Sequence, residues 1–165
     1  MKDNLLGMGL SDNIIEPDEN TVKELQLQLE AQQNKLAALP ADADPLRRDR
    51  IQLDIASTLI ALDRKKEAWD MARRVFDTFI AHASWQEAVE ACDVMYAADQ
   101  EESIVALANG IWLAVTFPVD PSLSVNMLDH VIEETPNDSD GAAVAAATAH
   151  YLADLRAADD QQRES

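Results

Sequence analysis

An uncharged stretch stands out in the hydrophobic pattern of this chain. From Ile104 to Phe117 the sequence reads IVALANGIWLAVTF, with apolar residues at almost every one of the fourteen positions. A surface helix shows polar residues along one side, whereas a helix that is apolar all round must be covered on all sides. Fourteen residues are too few to span a bilayer. The stretch therefore predicts a central core helix that the rest of the chain covers.

Other segments place apolar residues at three- and four-residue steps, which is the period of an amphipathic helix. The clearest of them runs from about Lys65 to Ala81. Further helices are predicted over 21–40, 45–62 and 121–135, from Ser84, and from about 140 onward, with the central helix starting near Glu101. Together these segments predict an all-α fold of about seven helices. Because only a few residues connect successive helices, we expect neighbouring helices to pack as an antiparallel stack.

Cap residues and prolines mark the predicted helix starts. Asp44-Pro45 and Asp120-Pro121 each pair an N-cap residue with a proline in the first turn. Ser84 and Glu87 form the pattern of a capping box. Thr21 is the candidate cap of the first helix.

The sequence predicts one domain with two unstructured ends. Residues 1–20 show no sustained period, so we expect a flexible arm that is either a frayed terminus or a short docking motif. The helix that follows carries a heptad seam of under three repeats, too short to dimerise alone, and is predicted to pack onto the domain. Residues 21–158 form the predicted helical domain, and 159–165 a disordered tail.

Small residues predict one close helix contact. Gly110 is a lone glycine within the apolar stretch, where it would allow a neighbouring helix to approach closely. The candidate neighbour is the alanine-rich last helix. Its predicted inward residues are Val144, Ala147, Tyr151, Leu152 and Leu155.

Composition narrows the class of protein. A chain of 165 residues with 47% hydrophobic content suits one globular domain with a real core. Its single cysteine, Cys92, excludes an internal disulfide framework and a cysteine-based zinc site, and is predicted to be buried. The N-terminus lacks the apolar run of a secretory signal, so we expect a cytoplasmic protein with no membrane association.

The charge is large and unevenly distributed. The formal net charge of −18 disfavours nucleic acid and anionic membranes as direct partners. Eight of the thirteen basic residues lie between Arg47 and Arg74, whereas Val75 to Leu155 contains none and carries fourteen acids. The acidic half is either a solubilising surface or a docking face for a cationic partner.

Two successive helices share a pattern twenty residues apart. Glu67-Ala68 and Glu87-Ala88 occupy equivalent places, and the apolar steps after them match. The hairpin of residues 52–80 resembles a tetratricopeptide unit, with Ile55, Ala56 and Leu59 at the large, small and large positions of its first helix. Asp63 stands at the turn glycine of that motif and Lys65 at its aromatic position. The resemblance implies tetratricopeptide-like or α-solenoid packing and a groove for a peptide or partner helix.

Catalytic chemistry finds little support. His130 and Glu133 lie one turn apart, a spacing that can share a metal, but the repeated Glu-x-x-His signature of di-iron bundles is absent. No serine elbow or glycine-rich phosphate loop occurs either. We therefore expect no enzyme, no metal and no cofactor. The three tryptophans are predicted core residues, one of which is a candidate anchor at a groove.

The sequence thus predicts a non-catalytic protein-interaction module, an adaptor or assembly chaperone, whose acidic helical surface binds a protein with a basic or amphipathic segment. The candidate partner-binding residues are Glu101, Glu102, Asp129, Glu133, Glu134 and Trp112. Because the net charge opposes self-association, we expect a monomer or weak dimer. Two alternatives stay open: a small metal- or cofactor-binding enzyme built on His130, Glu133 and His150, and an acidic mimic of nucleic acid that spaces the carboxylates of 99–102 and 129–140 like phosphates.

Overall fold

A computed structural model describes residues 18–136, 140–141 and 143–151, and every regular element within these ranges is helical. The six complete helices are α1 (Glu19–Ala37), α2 (Pro45–Ala61), α3 (Lys65–Ala81), α4 (Trp85–Ala97), α5 (Ser103–Thr116) and α6 (Pro121–Glu134). Residues 140–141 and 143–151 supply a seventh helical segment. The predicted all-α fold is confirmed. Most of the predicted arm (1–17), the whole predicted tail (159–165) and the connection 137–139 lie outside the described residues.

The helix starts agree with the sequence at two places and differ at two. Asp44 and Asp120 accept hydrogen bonds from the first-turn backbone, as predicted. The cap of α1 is Asp18, whose Oδ1 accepts from Thr21 N at 2.7 Å, so Thr21 is a donor and not the cap. Ser84 makes no side-chain cap bond, so the predicted capping box is not formed.

Three helix-to-helix turns share one backbone conformation. Asp63, Ala83 and Asp99 follow the ends of α2, α3 and α4 with φ values of 57°, 55° and 52°. At the first turn Asp63 N donates to Ile60 O at 2.9 Å and Arg64 N to Leu59 O at 2.8 Å. This pair of bonds is the Schellman motif, which normally places glycine at the left-handed position. The turn is therefore reached without the glycine that the tetratricopeptide motif uses.

The turn between α4 and α5 replaces one of these backbone bonds with a serine hydroxyl. Gln100 N donates to Ser103 Oγ at 2.7 Å, and Ser103 Oγ donates to Met95 O at 2.9 Å. Because the hydroxyl is both acceptor and donor, it satisfies two backbone groups that lie apart in this turn. Ser103 is buried, and it fixes the start of α5 against the end of α4.

The central helix is α4, not α5. Helix α4 packs against α2, α3, α5 and α6, and it buries residues around most of its circumference: Ala88, Val89, Ala91, Cys92, Val94 and Met95. Helix α5, which the uncharged sequence predicted to be covered on all sides, leaves one face exposed. The prediction was wrong because hydropathy reports what a helix would prefer to bury, whereas coverage depends on which helices surround it.

The first helix packs as predicted along α2. Leu29 is buried at the middle of its seam. The polar seam residue Gln32 accepts a hydrogen bond from Thr58 Oγ1 at 3.0 Å and donates to Asp54 O at 3.3 Å. These bonds satisfy the amide that interrupts the apolar seam. The seam of α1 is therefore used within the domain.

The close approach at Gly110 is real, but its neighbours differ from the predicted one. A Cβ atom at this position would lie 2.8 Å from Cys92 Cβ on α4 and would overlap Met127 Cε on α6. The alanine-rich segment instead buries Ala145 and Ala149, while Val144 and Tyr151 are exposed, so the predicted inward face was wrong at these positions. Leu152 and Leu155 lie outside the described residues. Small side chains allow closer helix approach than the larger residues that the apolar pattern favoured.

The matched positions of α3 and α4 have matched burial. Ala68 and Ala88 are both fully buried, as are Ala72 and Cys92. Alternate helices also contact one another, since α4 reaches both α2 and α6. The tetratricopeptide-like, solenoid form of this packing stays a prediction.

Candidate partner-binding surface

Helix α5 presents an exposed apolar face, here called the α5 face. Its large side chains are Ile104 (57% exposed), Val105 (60%), Trp112 (59%) and Val115 (40%). Single exposed apolar residues are common, whereas several on one face mark an interaction surface. The α5 face spans eleven residue steps, or about 16 Å of helix at 1.5 Å per residue.

The packing of α5 explains why this face is left open. Its opposite side buries Ala106, Leu107, Gly110, Leu113 and Ala114. Ala106, Gly110 and Ala114 are small, which allows α5 to lie close to α4 and α6, while Leu107 and Leu113 supply its large buried side chains. The sequence placed valine, isoleucine and tryptophan on the outer face instead. These are the residues that a core helix would normally bury.

Trp112 is held in place by other aromatic rings. Its indole meets the edge of Phe117, with ring centroids 5.8 Å apart and planes at 83°. Phe117 in turn stacks on Trp85, with centroids 3.8 Å apart and planes at 9°. The prediction that Trp112 is a core residue was wrong, whereas Trp69 and Trp85 are half-buried. Trp112, which is also one of the candidate partner-binding residues, is therefore the exposed tryptophan of the three, and it lies on an ordered aromatic support.

A groove between α3 and α5 adjoins the α5 face. It has a volume of about 130 Å³ and an apolar lining that includes Trp69, Phe76, Met95 and Val105. Val105 belongs both to this groove and to the α5 face, and Trp112 lies two turns further along the same side of the helix. The groove and the face thus adjoin each other at Val105. Sequence reasoning missed it because each of these residues also fits a core position.

Carboxylates flank this surface at the start of α5. Glu101 and Glu102 are exposed, and Glu102 contributes to the groove lining. Arg73 lies on the opposite wall and pairs with Asp77, with Nη1 and Oδ1 3.0 Å apart. Asp99, two residues before Glu101, lies 3.6 Å from Lys65 Nζ. Glu101 and Glu102 are therefore the carboxylates that the structure brings to the α5 face.

The other predicted carboxylates lie on α6. Glu134 accepts a 2.7 Å hydrogen bond from Tyr96 OH, and this bond, with smaller contributions from burial and neighbouring carboxylates, raises the pKa of Tyr96 to about 12. Glu133 Oε2 lies 3.5 Å from His130 Nδ1. Asp129 is exposed. Glu133 and Glu134 therefore join contacts at the α4–α6 side of the stack, and the six predicted site residues do not meet at one place.

His130 is part of an interhelical contact. Its Nε2 lies 2.9 Å from Asp93 Oδ1 on α4, and its ring lies tilted against Tyr96 with centroids 4.5 Å apart. His150, the other histidine of the metal hypothesis, is exposed on the seventh helical segment. Over the described ranges, no three histidine, cysteine, aspartate or glutamate side chains cluster closely enough to hold a metal ion.

Cys92 is a poor candidate nucleophile. The residue is fully buried, and burial, with a further contribution from the charge of Asp93, raises the pKa of its thiol to about 12. The reactive form of cysteine is the thiolate, which such a pKa suppresses at neutral pH. In the structure, Cys92 packs against Gly110 where α4 contacts α5.

In the part of the chain that the structure describes, no helix has the length and apolar character needed to cross a membrane. Searches against protein-family models, curated proteins and solved structures find no match to this chain.

Proposed function

We propose that this protein is a non-catalytic interaction module, an adaptor or assembly chaperone, that binds a partner protein through its acidic helical surface. The observation that carries the proposal is the α5 face, an apolar surface over a sequence region that contains no lysine or arginine. An exposed tryptophan on an ordered aromatic support is a frequent binding anchor, because little conformational entropy is lost when it is covered.

The six candidate residues take two roles in this proposal. Trp112, Glu101 and Glu102 lie at the α5 face and make direct contact with the partner. Asp129, Glu133 and Glu134 lie on α6 and strengthen the negative field that attracts a basic partner during approach. Steering of this kind acts over about a Debye length, roughly 8 Å at physiological salt, and does not require contact.

Two features favour a protein partner over the alternatives. An acidic mimic of nucleic acid needs regularly spaced carboxylates, whereas Glu133 and Glu134 lie against groups on α4 and α6. The enzyme hypothesis needs His130, Glu133 and His150 to converge, whereas five of the eight residues that line the groove beside α5 are apolar and none of the three belongs to it. An apolar face bordered by charge fits protein recognition.

The proposal is tested by quantitative capture of interacting proteins from the native host. Val105→Asp places a charge on the α5 face, and Leu27→Asp makes the same type of change at an exposed leucine (65%) on α1. Both substitutions lie at exposed helix positions, so far-ultraviolet circular dichroism should match that of the unmodified protein. We expect specific proteins to be lost by Val105→Asp and kept by Leu27→Asp.

Two outcomes count against the proposal. Interacting proteins that are retained equally by both variants would remove the α5 face from the account. A catalytic activity that survives Val105→Asp and depends on His130 would replace the interaction module with the enzyme hypothesis.

A further inference from the structure

The groove beside α5 has room for one side chain. Its volume of about 130 Å³ is close to that of a cavity that accommodates benzene, roughly 150 Å³. Trp69 and Phe76 from α3, Met95 from α4 and Val105 from α5 contribute its apolar lining. A leucine or phenylalanine side chain of a partner matches this volume and this chemistry.

The apolar surface continues along α5 for the length of a short helix. Ile104 and Val115 mark its ends, about 16 Å apart along the helix axis, which corresponds to three helical turns. An amphipathic helix presents apolar residues at steps of three and four, so three turns would place about four of them on this surface. A partner helix laid along α5 could therefore insert one side chain into the groove and cover Trp112 with another.

The charge around this surface selects the sign of the partner. Glu101 and Glu102 lie exposed at its edge. The one cation in the groove lining, Arg73, pairs with Asp77 at 3.0 Å, so its charge is largely compensated. Lysine and arginine side chains on the polar face of a bound helix would meet these glutamates.

A second copy of this chain is a poor occupant. Each copy carries a net charge of −18, so like charges repel at this surface. Five of the eight basic residues of the segment 47–74 also form ion pairs within the chain: Arg50, Arg64, Lys65, Lys66 and Arg73. The partner is therefore expected to be a different protein.

From these observations we infer that the α5 face and its groove bind a basic amphipathic helix of about three turns, with one leucine- or phenylalanine-sized anchor in the groove. This inference rests on the proposed function and names the class of partner at that surface.

The test uses the full chain and a labelled model helix. The probe is an 18-residue leucine–lysine peptide with leucines at i, i+3, i+4 and i+7, and the control is a scrambled peptide of identical composition and charge. We expect the ordered peptide to bind about tenfold more tightly than the scrambled one by fluorescence anisotropy, because only the ordered peptide presents an apolar face. Binding should weaken about tenfold in Val105→Asp and stay within about twofold in Leu27→Asp.

Each alternative occupant gives a different result. Equal binding of both peptides would mean that charge alone is recognised and would overturn the inference. Sedimentation that shows a tight dimer disrupted by Val105→Asp would instead assign the surface to a second copy. A host partner whose cross-links map to Asp129 and Glu133, with no dependence on Val105, would overturn the inference while leaving the proposed function standing.

Discussion

Ser103 on α5 donates a 2.9 Å hydrogen bond from its hydroxyl to the backbone carbonyl oxygen of Met95 on α4. The same hydroxyl accepts from Gln100 N at 2.7 Å, so one side chain completes the turn that positions α5. The α5 face projects from a helix whose start is fixed in this way. Because Ser103 is buried, its contribution to the free energy of unfolding can be measured without a binding partner.

Replacing this serine should destabilise the fold. Ser103→Ala leaves the Met95 carbonyl and the Gln100 N–H without the shared partner in a buried setting, and we expect the free energy of unfolding to fall by about 1–3 kcal/mol. Ser57→Ala is the matched control, because Ser57 is exposed and bonds only within its own helix, to Leu53 O at 3.2 Å. Urea unfolding measures both variants, and equal losses would contradict the bridging role.

A glycine at the α3–α4 turn should stabilise the protein. Ala83 adopts a φ of 55°, a conformation that is strained for a residue with a Cβ atom. Ala83→Gly removes this strain, and we expect a gain of about 0.5–1 kcal/mol after the entropic cost of glycine is included. Ala81→Gly, two residues earlier within α3, should instead cost about 0.5–1 kcal/mol. Thermal unfolding that shows the same sign for both would refute the turn assignment.

A single added methyl group should disturb the contact between α4, α5 and α6. Gly110→Ala places a Cβ 2.8 Å from Cys92 Cβ, which is too close for two carbon atoms. Because Cys92 Cβ is bonded directly to the backbone, this clash is relieved only if one of the two helices shifts. Overpacking of this kind costs about 1–3 kcal/mol, which exceeds the gain of about 1 kcal/mol in helix propensity. Asn109→Ala, at the exposed neighbouring position, should be neutral or slightly stabilising. A stabilised Gly110→Ala would show that α5 has room to move.

The buried thiol predicts a loss of stability at alkaline pH. The pKa of Cys92 is raised from 9.0 to about 12 in the folded protein, so the folded state keeps the proton that the unfolded state releases. Its contribution is complete below pH 9 and falls by about 1.4 kcal/mol per pH unit between pH 9 and pH 12. We expect Cys92→Ala to lose stability less steeply between pH 9 and pH 10.5 than the unmodified protein. If the free energy of unfolding fell equally steeply with pH in both proteins, the buried thiol would not be a source of the pH dependence.

Sequence periodicity located the helices well because local signals determine where helices begin and end. The bounds of α3 match the prediction from Lys65 to Ala81. Asp44-Pro45 and Asp120-Pro121 begin helices as predicted, because a capping carboxylate and a proline act within one turn. The Thr21 cap failed for a related reason, since Asp18, three residues earlier, offers the stronger acceptor.

The sequence did not predict equally well which side of a helix is covered by other helices. The apolar stretch at Ile104 to Phe117 predicted complete coverage, yet Trp112 is exposed, because coverage depends on long-range packing. Likewise, Val144 was predicted to face inward because it is apolar, whereas Val144 is exposed and its neighbour Ala145 is buried. The predicted carboxylates share a charge pattern in sequence, but Glu134 pairs with Tyr96 on a separate side of the stack. These misses all concern tertiary neighbours.

The most direct test of the central claim compares two charge reversals that change the net charge equally. Glu101→Lys/Glu102→Lys alters the edge of the α5 face, and Glu24→Lys/Glu30→Lys alters exposed positions of α1. The measurement is the association rate of the leucine–lysine helix by stopped-flow fluorescence across a range of ionic strength. If the α5 face binds the helix, only the first variant should associate several-fold more slowly and with a flatter salt dependence. Equal slowing in both variants would show that net charge alone governs association and would contradict the account.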